Sequence, residues 1–94
     1  MAKGYVIITE DIKDPAGMAE YGKLASKTMG NAKVLSFGPA AETLEGEWHG
    51  TQTVLLEFES VEAAKEWYYS DEYQAAAKLR QAAADCNGVI VSGF

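Results

Sequence analysis

Ninety-four residues suffice for one folded domain, expected to span residues 1–94; two would each fall below the ~50 residues at which a core becomes hard to build. An apolar fraction of 48% with 23% charged residues excludes a disordered tail, a collagen-like chain and a disulfide scaffold. Fourteen acids against 8 bases give a net charge of -6, with Arg80 the one arginine and no cluster of lysines, so the chain lacks the basic stripe that nucleic acid or an anionic membrane surface requires.

The longest strongly apolar runs, residues 5–8 and 54–56, are far short of the ~20 residues of a membrane span. The opening Met-Ala-Lys-Gly-Tyr has neither the apolar stretch nor the cleavage site of a secretory signal, and Cys86 has no second cysteine to pair with. Together these point to a reduced, cytoplasmic compartment.

Residues 5–12 hold Val6, Ile7, Ile8, Thr9 and Ile12 between Gly4 and Asp14-Pro15, the pattern of a strand. Asp14 then reads as a helix cap with Pro15 in the first turn, and Met18, Tyr21, Leu24, Ala25 and Thr28 follow at helical spacing up to Gly30-Asn31. A second strand over 33–37 ends at Gly38-Pro39, and 42–45 reads as a short extended arm turned by Gly46. Residues 51–58 form a third strand. Ser60 caps a helix over 61–69, Ser70-Asp71 interrupts it with a new cap, and helix resumes to about Asp85. Asn87-Gly88 reads as a turn before a last strand over 89–92.

The order β-α-β-β-α-β predicts an α+β, ferredoxin-like domain: one antiparallel sheet with helices on a single face. Alternation along each strand splits the sheet residues into two sets. Val6, Ile8, Leu35, Phe37, Val54, Leu56, Phe58, Val89 and Val91 form an apolar set expected under the helices. Tyr5, Ile7, Thr9, Val34, Ser36, Leu55, Glu57, Ile90 and Ser92 form a mixed set, too apolar for water and too polar for a dry core. A second copy of the chain covering that face would close the two sheets into a dimeric α+β barrel, so a homodimer is expected.

The pieces Leu44-Glu45-Gly46-Glu47-Trp48, Val54-Leu55-Leu56-Glu57-Phe58-Glu59-Ser60, Trp67-Tyr68-Tyr69-Ser70-Asp71-Glu72-Tyr73-Gln74 and Leu79-Arg80, with Lys3-Gly4-Tyr5, Asp14-Pro15 and Val89-Ile90-Val91, resemble the domain-of-unknown-function 1330 family (DUF1330) over essentially the whole chain. The resemblance implies a dimeric α+β barrel. It assigns no reaction; relatives of that fold include cofactor-free monooxygenases, isomerases, dehydratases and haem-using enzymes. The chain departs from the family pattern at His49, where a basic residue, often Arg, follows the Trp, and at Gly30-Asn31-Ala32, where paired glycines are usual.

Glu57, between apolar neighbours on a central strand, is the first candidate for a general base, with an ion pair to Arg80 as the structural alternative. His49, the one histidine, is a second candidate acid or base, or else a solvated loop residue. Tyr5, Thr9 and Ser36 on the mixed face, with Tyr73 and Arg80 from the last helix, are candidate ligand contacts, Arg80 through a carboxylate clamp. One His and one Cys do not make a transition-metal site, so neither metal nor cofactor is expected. Cys86, reading as lacking a basic neighbour, is expected to be inert. Trp48 is expected to pack across the dimer. Three functional readings follow. One is a homodimer that binds or acts on a small organic metabolite between helix and sheet. Another is a structural module with a filled barrel. A haem-binding relative, with His49 as axial ligand, is a third.

Overall fold

A computed structural model describes residues 2–94. Its elements are β1 (Gly4–Ile12), α1 (Pro15–Ser26), β2 (Lys33–Gly38), β3 (Gln52–Phe58), α2 (Val61–Tyr68), α3 (Asp71–Ala83) and β4 (Ala84–Ser92). The strands form one antiparallel sheet in the order β2-β3-β1-β4, the ferredoxin-like topology, with the helices on one face.

Local chemistry sets the helix boundaries. The Ser60 hydroxyl accepts from the Ala63 amide at 3.0 Å and starts α2. The Ser70 hydroxyl donates to the Trp67 carbonyl at 2.7 Å and accepts from the Tyr73 amide at 3.2 Å. It thus closes one helix and opens the next, which is why the expected interruption falls there. Asp14 precedes α1 in extended conformation, but its side chain makes no cap bond.

The core lies between the sheet and the helices. Val6, Ile8, Leu56 and Phe58 pack against Trp67 and Ala64 of α2, Tyr73, Ala76 and Ala77 of α3, and Ala25 of α1. Trp67 stacks on Tyr73 at a ring separation of 3.9 Å and on Phe58 at 5.2 Å. Its indole N–H donates to Thr28 Oγ1 at 3.0 Å, so the largest core ring leaves no buried donor unpaired.

Three expectations are corrected. First, α3 passes directly into β4, which runs straight through Asn87-Gly88; no turn forms, because those residues pair with Thr9 and Ile8 of β1. Second, this register puts Ile90 opposite Val6 on the helix side and leaves Val89 (52% exposed) and Val91 (40%) on the open face, the reverse of the expected assignment. Third, a bulge between Val34 and Ser36 shifts β2, so Val34 and Phe37 pair with Leu56 and Val54, and Ser36 with Leu55. Val34 therefore leaves the open face. Residues 42–45 form no strand and are exposed.

Gly50 sits at φ +83°, and a Cβ there would lie 2.5 Å from the Glu10 carbonyl oxygen, which accepts from the Thr51 amide at 2.8 Å. Gly22, within α1, has nothing within 4 Å of a built Cβ. Gly50→Ala is therefore expected to lower the unfolding free energy by about 2 kcal/mol or more. Gly22→Ala should raise it by about 0.5–1 kcal/mol. Urea denaturation of the two variants checks the opposite signs.

Candidate functional site

The sheet divides the sequence-derived candidates between its two sides. On the open face the cross-strand partners Tyr5 and Glu57 are joined by a hydrogen bond from Tyr5 Oη to Glu57 Oε2 at 3.0 Å. That bond stabilises the un-ionised phenol beside a carboxylate and raises the Tyr5 pKa. At the other end, His49 Nδ1 lies 2.6 Å from Thr9 Oγ1, and its Nε2 lies 3.7 Å from Asp85 Oδ2. Trp48 donates its indole N–H to Thr53 Oγ1 at 2.8 Å.

Between the two polar groups stands the apolar cross-strand pair Ile7 and Leu55, with Ser36 alongside Leu55. Thr9, the His49 contact, is four residues along β1 from Tyr5, roughly 13 Å of strand. Glu57 and His49 therefore do not share a site within one protomer. Nor is His49 simply solvated: it is half-buried, with Nδ1 within hydrogen-bond distance of Thr9 Oγ1.

Tyr73 and Arg80 lie on the opposite side, under the helices, which removes the alternative of a Glu57–Arg80 ion pair. They belong to a buried polar cluster assembled from five elements. Gln52, Glu10 and Cys86 form a row across β3, β1 and β4, since Glu10 is the register partner of both. Glu10 is 1% exposed and accepts from Gln52 Nε2 at 2.7 Å. Above the row, α3 contributes Tyr73 and Arg80, seven residues apart and so on one helix face, and α1 contributes Tyr21. The Tyr21 and Tyr73 hydroxyls are 2.8 Å apart, and the Arg80 guanidinium carbon lies 5.8 Å from the centre of the Tyr21 ring.

Arg80 is 4% exposed, and its Nε has no hydrogen-bond partner. Among the described residues none of the ion pairs includes it. Burial works against its charge, but Tyr73 and Cys86, followed by Tyr21, favour the cation and hold its pKa above the ordinary value. Cys86 thus has the basic neighbour that the sequence reading denied it. Burial raises the Glu10 pKa, offset in part by the Gln52 hydrogen bond and the Arg80 charge. Burial likewise raises the Tyr21 pKa, helped by Tyr73.

Arg80 and Cys86 line a groove of about 440 Å³ between α2–α3 and β4. Its apolar walls are Val6, Ile8, Tyr68 and Ile90; Gly88, opposite Ile8, contributes no side chain. Glu10, Gln52 and Tyr21 were not singled out by sequence reasoning. For Glu10 the signal was present: it shares strand parity with Val6 and Ile8 and so sits as an acid in an otherwise apolar set. Among the described residues no three His, Cys, Asp or Glu side chains converge to hold a metal ion.

A family model described as domain of unknown function (DUF1330) matches residues 3–94. The chain belongs to this family. A protein of unknown function from Rhodopseudomonas palustris superposes with a TM-score of 0.78 at 21% identity, covering 99% of this chain and 83% of that one. A Thermobifida fusca protein of unknown function, described as dimeric and ferredoxin-like, gives 0.65 at 14% identity, covering 97% and 91%. SnoaB, a cofactor-independent oxygenase from Streptomyces nogalater, gives 0.66 at 7% identity, covering 100% and 95%. At these identities the DUF1330 chain shares the fold with them. No curated protein matches it. Among the described residues no helix is long and apolar enough to cross a membrane.

Because the folded-state pKa of Glu10 is raised, the folded protein binds more protons than the unfolded chain above the ordinary carboxylate value of 4.5. Its contribution is fully present below that pH and is lost as pH rises through the folded-state pKa. Glu10→Gln retains an oxygen to accept from Gln52 and is expected to remove this loss, leaving the variant more stable than wild type at neutral pH. Melting temperatures of both proteins from pH 4 upward check the changed slope.

Proposed function

We propose that the protein is a homodimer of the cytoplasm that binds or transforms a small organic metabolite without a metal, in the groove between α2–α3 and β4 of each protomer. The observation that carries this reading is the convergence of an apolar groove on a buried polar cluster with an unpartnered guanidinium nitrogen. Apolar walls with a few fixed polar groups are the usual make-up of a small-molecule site, and about 440 Å³ is within the usual size range.

The open face supports the dimer. Ile7, Leu55, Val89 and Val91 make it apolar, and six of its polar side chains are already paired as Tyr5–Glu57, Thr9–His49 and Trp48–Thr53. Paired groups can be buried against a second sheet at little cost, whereas unpaired ones cannot. The Thermobifida fusca structure, described as dimeric, has the same fold. On this reading the open face is an interface in which Glu57, Tyr5, Thr9 and Ser36 serve packing and specificity of assembly, and the site lies on the other side of the sheet. That assignment of the face is the part of the filled-barrel reading which these satisfied pairs favour. The haem reading is the less favoured one, since His49 Nδ1 already lies within hydrogen-bond distance of Thr9 Oγ1.

Sedimentation equilibrium is expected to return twice the protomer mass of 10.1 kDa, and Ile7→Glu, which places a charge at the centre of the face, should return the protomer mass. A monomeric wild type at micromolar concentration rejects the dimer. For the groove, binders from an NMR screen of small organic acids, amines and alcohols should perturb Tyr68, Ile90 and Arg80. Gly88→Leu should abolish those perturbations while the protein stays folded, because a Cβ at Gly88 makes only ordinary contact, 3.7 Å from Ile8. Binders that act elsewhere, or that survive Gly88→Leu, contradict the site.

A further inference from the structure

We propose that the ligand of the groove carries one carboxylate on an apolar body, and that Arg80 is its counter-charge. The inference rests on the groove being the ligand site and goes on to name the chemistry that fits it.

A guanidinium removed from water without an anion is an unfavourable state that a folded protein ordinarily avoids by pairing the charge. Here the groups facing Arg80 from each packed element are known. Tyr73 is on its own helix, Tyr21 on α1, Cys86 on β4 and Glu10 on β1. The two phenols and the thiol supply lone pairs but no formal charge in their protonated forms. Glu10 is the one carboxyl in the set. Its oxygen is bonded to Gln52, it makes no ion pair with Arg80, and its burial favours the neutral form. The cluster therefore holds a buried cation with no ion pair among the described residues, and the Nε of that cation has no partner.

The groove determines what can bring an anion to Arg80. Arg80 is the one basic residue on its walls, which are otherwise largely apolar and aromatic. One guanidinium balances one negative charge. A second or third charge on the ligand would go unmatched there and would be repelled by a chain of net charge -6. Phosphate esters and dicarboxylates are thus disfavoured against a monocarboxylate. A carboxylate is also the planar, two-oxygen acceptor that suits the guanidinium fork. The rest of the ligand lies against Val6, Ile8, Ile90 and the Tyr68 ring, which suits a compact aliphatic chain or a single aromatic ring.

The test compares matched acids and amides by isothermal titration calorimetry at pH 7 on the purified protein. The probes are phenylacetate and phenylacetamide, hexanoate and hexanamide, and phenyl phosphate. Wild type is expected to bind at least one acid about tenfold or more tightly than its amide, and to bind phenyl phosphate more weakly than phenylacetate. In Arg80→Met the acid should lose that advantage and bind no better than the amide. Should Arg80→Met fail to fold, Arg80→Lys, which keeps the charge and loses the fork, should retain a reduced preference for the acid. Amides binding as tightly as acids overturn the carboxylate inference and leave the groove as a site for neutral molecules. An acid preference that persists in Arg80→Met overturns the role of Arg80. If none of the five probes binds, the inference fails and the reading of the groove as a metabolite site fails with it.

Discussion

The helix side of this fold is organised around a charge held out of water. Arg80 is 4% exposed, yet none of the ion pairs among the described residues includes it. Burying such a group is tolerable only if the surrounding elements supply hydrogen-bonding capacity and close packing, and they do. Alanines at 76, 77 and 83 leave α3 free of bulk where it meets its neighbours. A Cβ built on Gly17 would lie 2.9 Å from Ala83 Cβ, which shows how closely α1 approaches α3. That approach brings the Tyr21 ring beside the guanidinium and its hydroxyl onto Tyr73. Because α3 runs into β4 without a loop, Cys86 is brought beneath the same group.

The same sheet separates two kinds of polar arrangement. On the open face each polar side chain of the Tyr5–Glu57, Thr9–His49 and Trp48–Thr53 pairs has found a partner within the protomer. Beneath the helices the Glu10–Gln52 and Tyr21–Tyr73 bonds are also closed, but Arg80 Nε is left over. Satisfied polar groups are compatible with packing against another surface, whereas an unsatisfied one marks a place where something is missing. The distinction between packing surface and ligand site follows from this difference in satisfaction more than from the identity of the residues.

Much of this architecture is legible along the chain. The strand and helix order follows from β-branched runs, from Ser60 and Ser70 as caps and from the alanine-rich last helix, because each signal is local. The misreadings are non-local in origin. Asn87-Gly88 carries the local signature of a turn, but pairing with Thr9 and Ile8 overrides it, and the displaced start of β4 reverses which of Val89 and Ile90 faces the helices. The β2 bulge moves Val34 by the same kind of shift, and nothing in residues 33–38 announces it. At the site, Glu10 was readable from its parity with Ile8. The meeting of Tyr21 with Tyr73 depends on how α1 packs on α3, and that of Arg80 with Cys86 on a helix-to-strand junction; neither distance can be read from spacing. Glu57 finds the Tyr5 hydroxyl instead of Arg80, because the two lie on opposite sides of the sheet.

Arg80 is the single arginine of the chain, so its Nε–H gives one resonance of its kind in a ¹H–¹⁵N spectrum. The most direct measurement is the hydrogen exchange of that proton with water, with and without phenylacetate. The account predicts a resonance visible at neutral pH, slowed in exchange by burial, that moves downfield on saturation with phenylacetate and does not respond to phenylacetamide. A proton exchanging at the rate of a free arginine, or one indifferent to the acid, would contradict the claim that a buried, unpaired guanidinium awaits an anionic ligand.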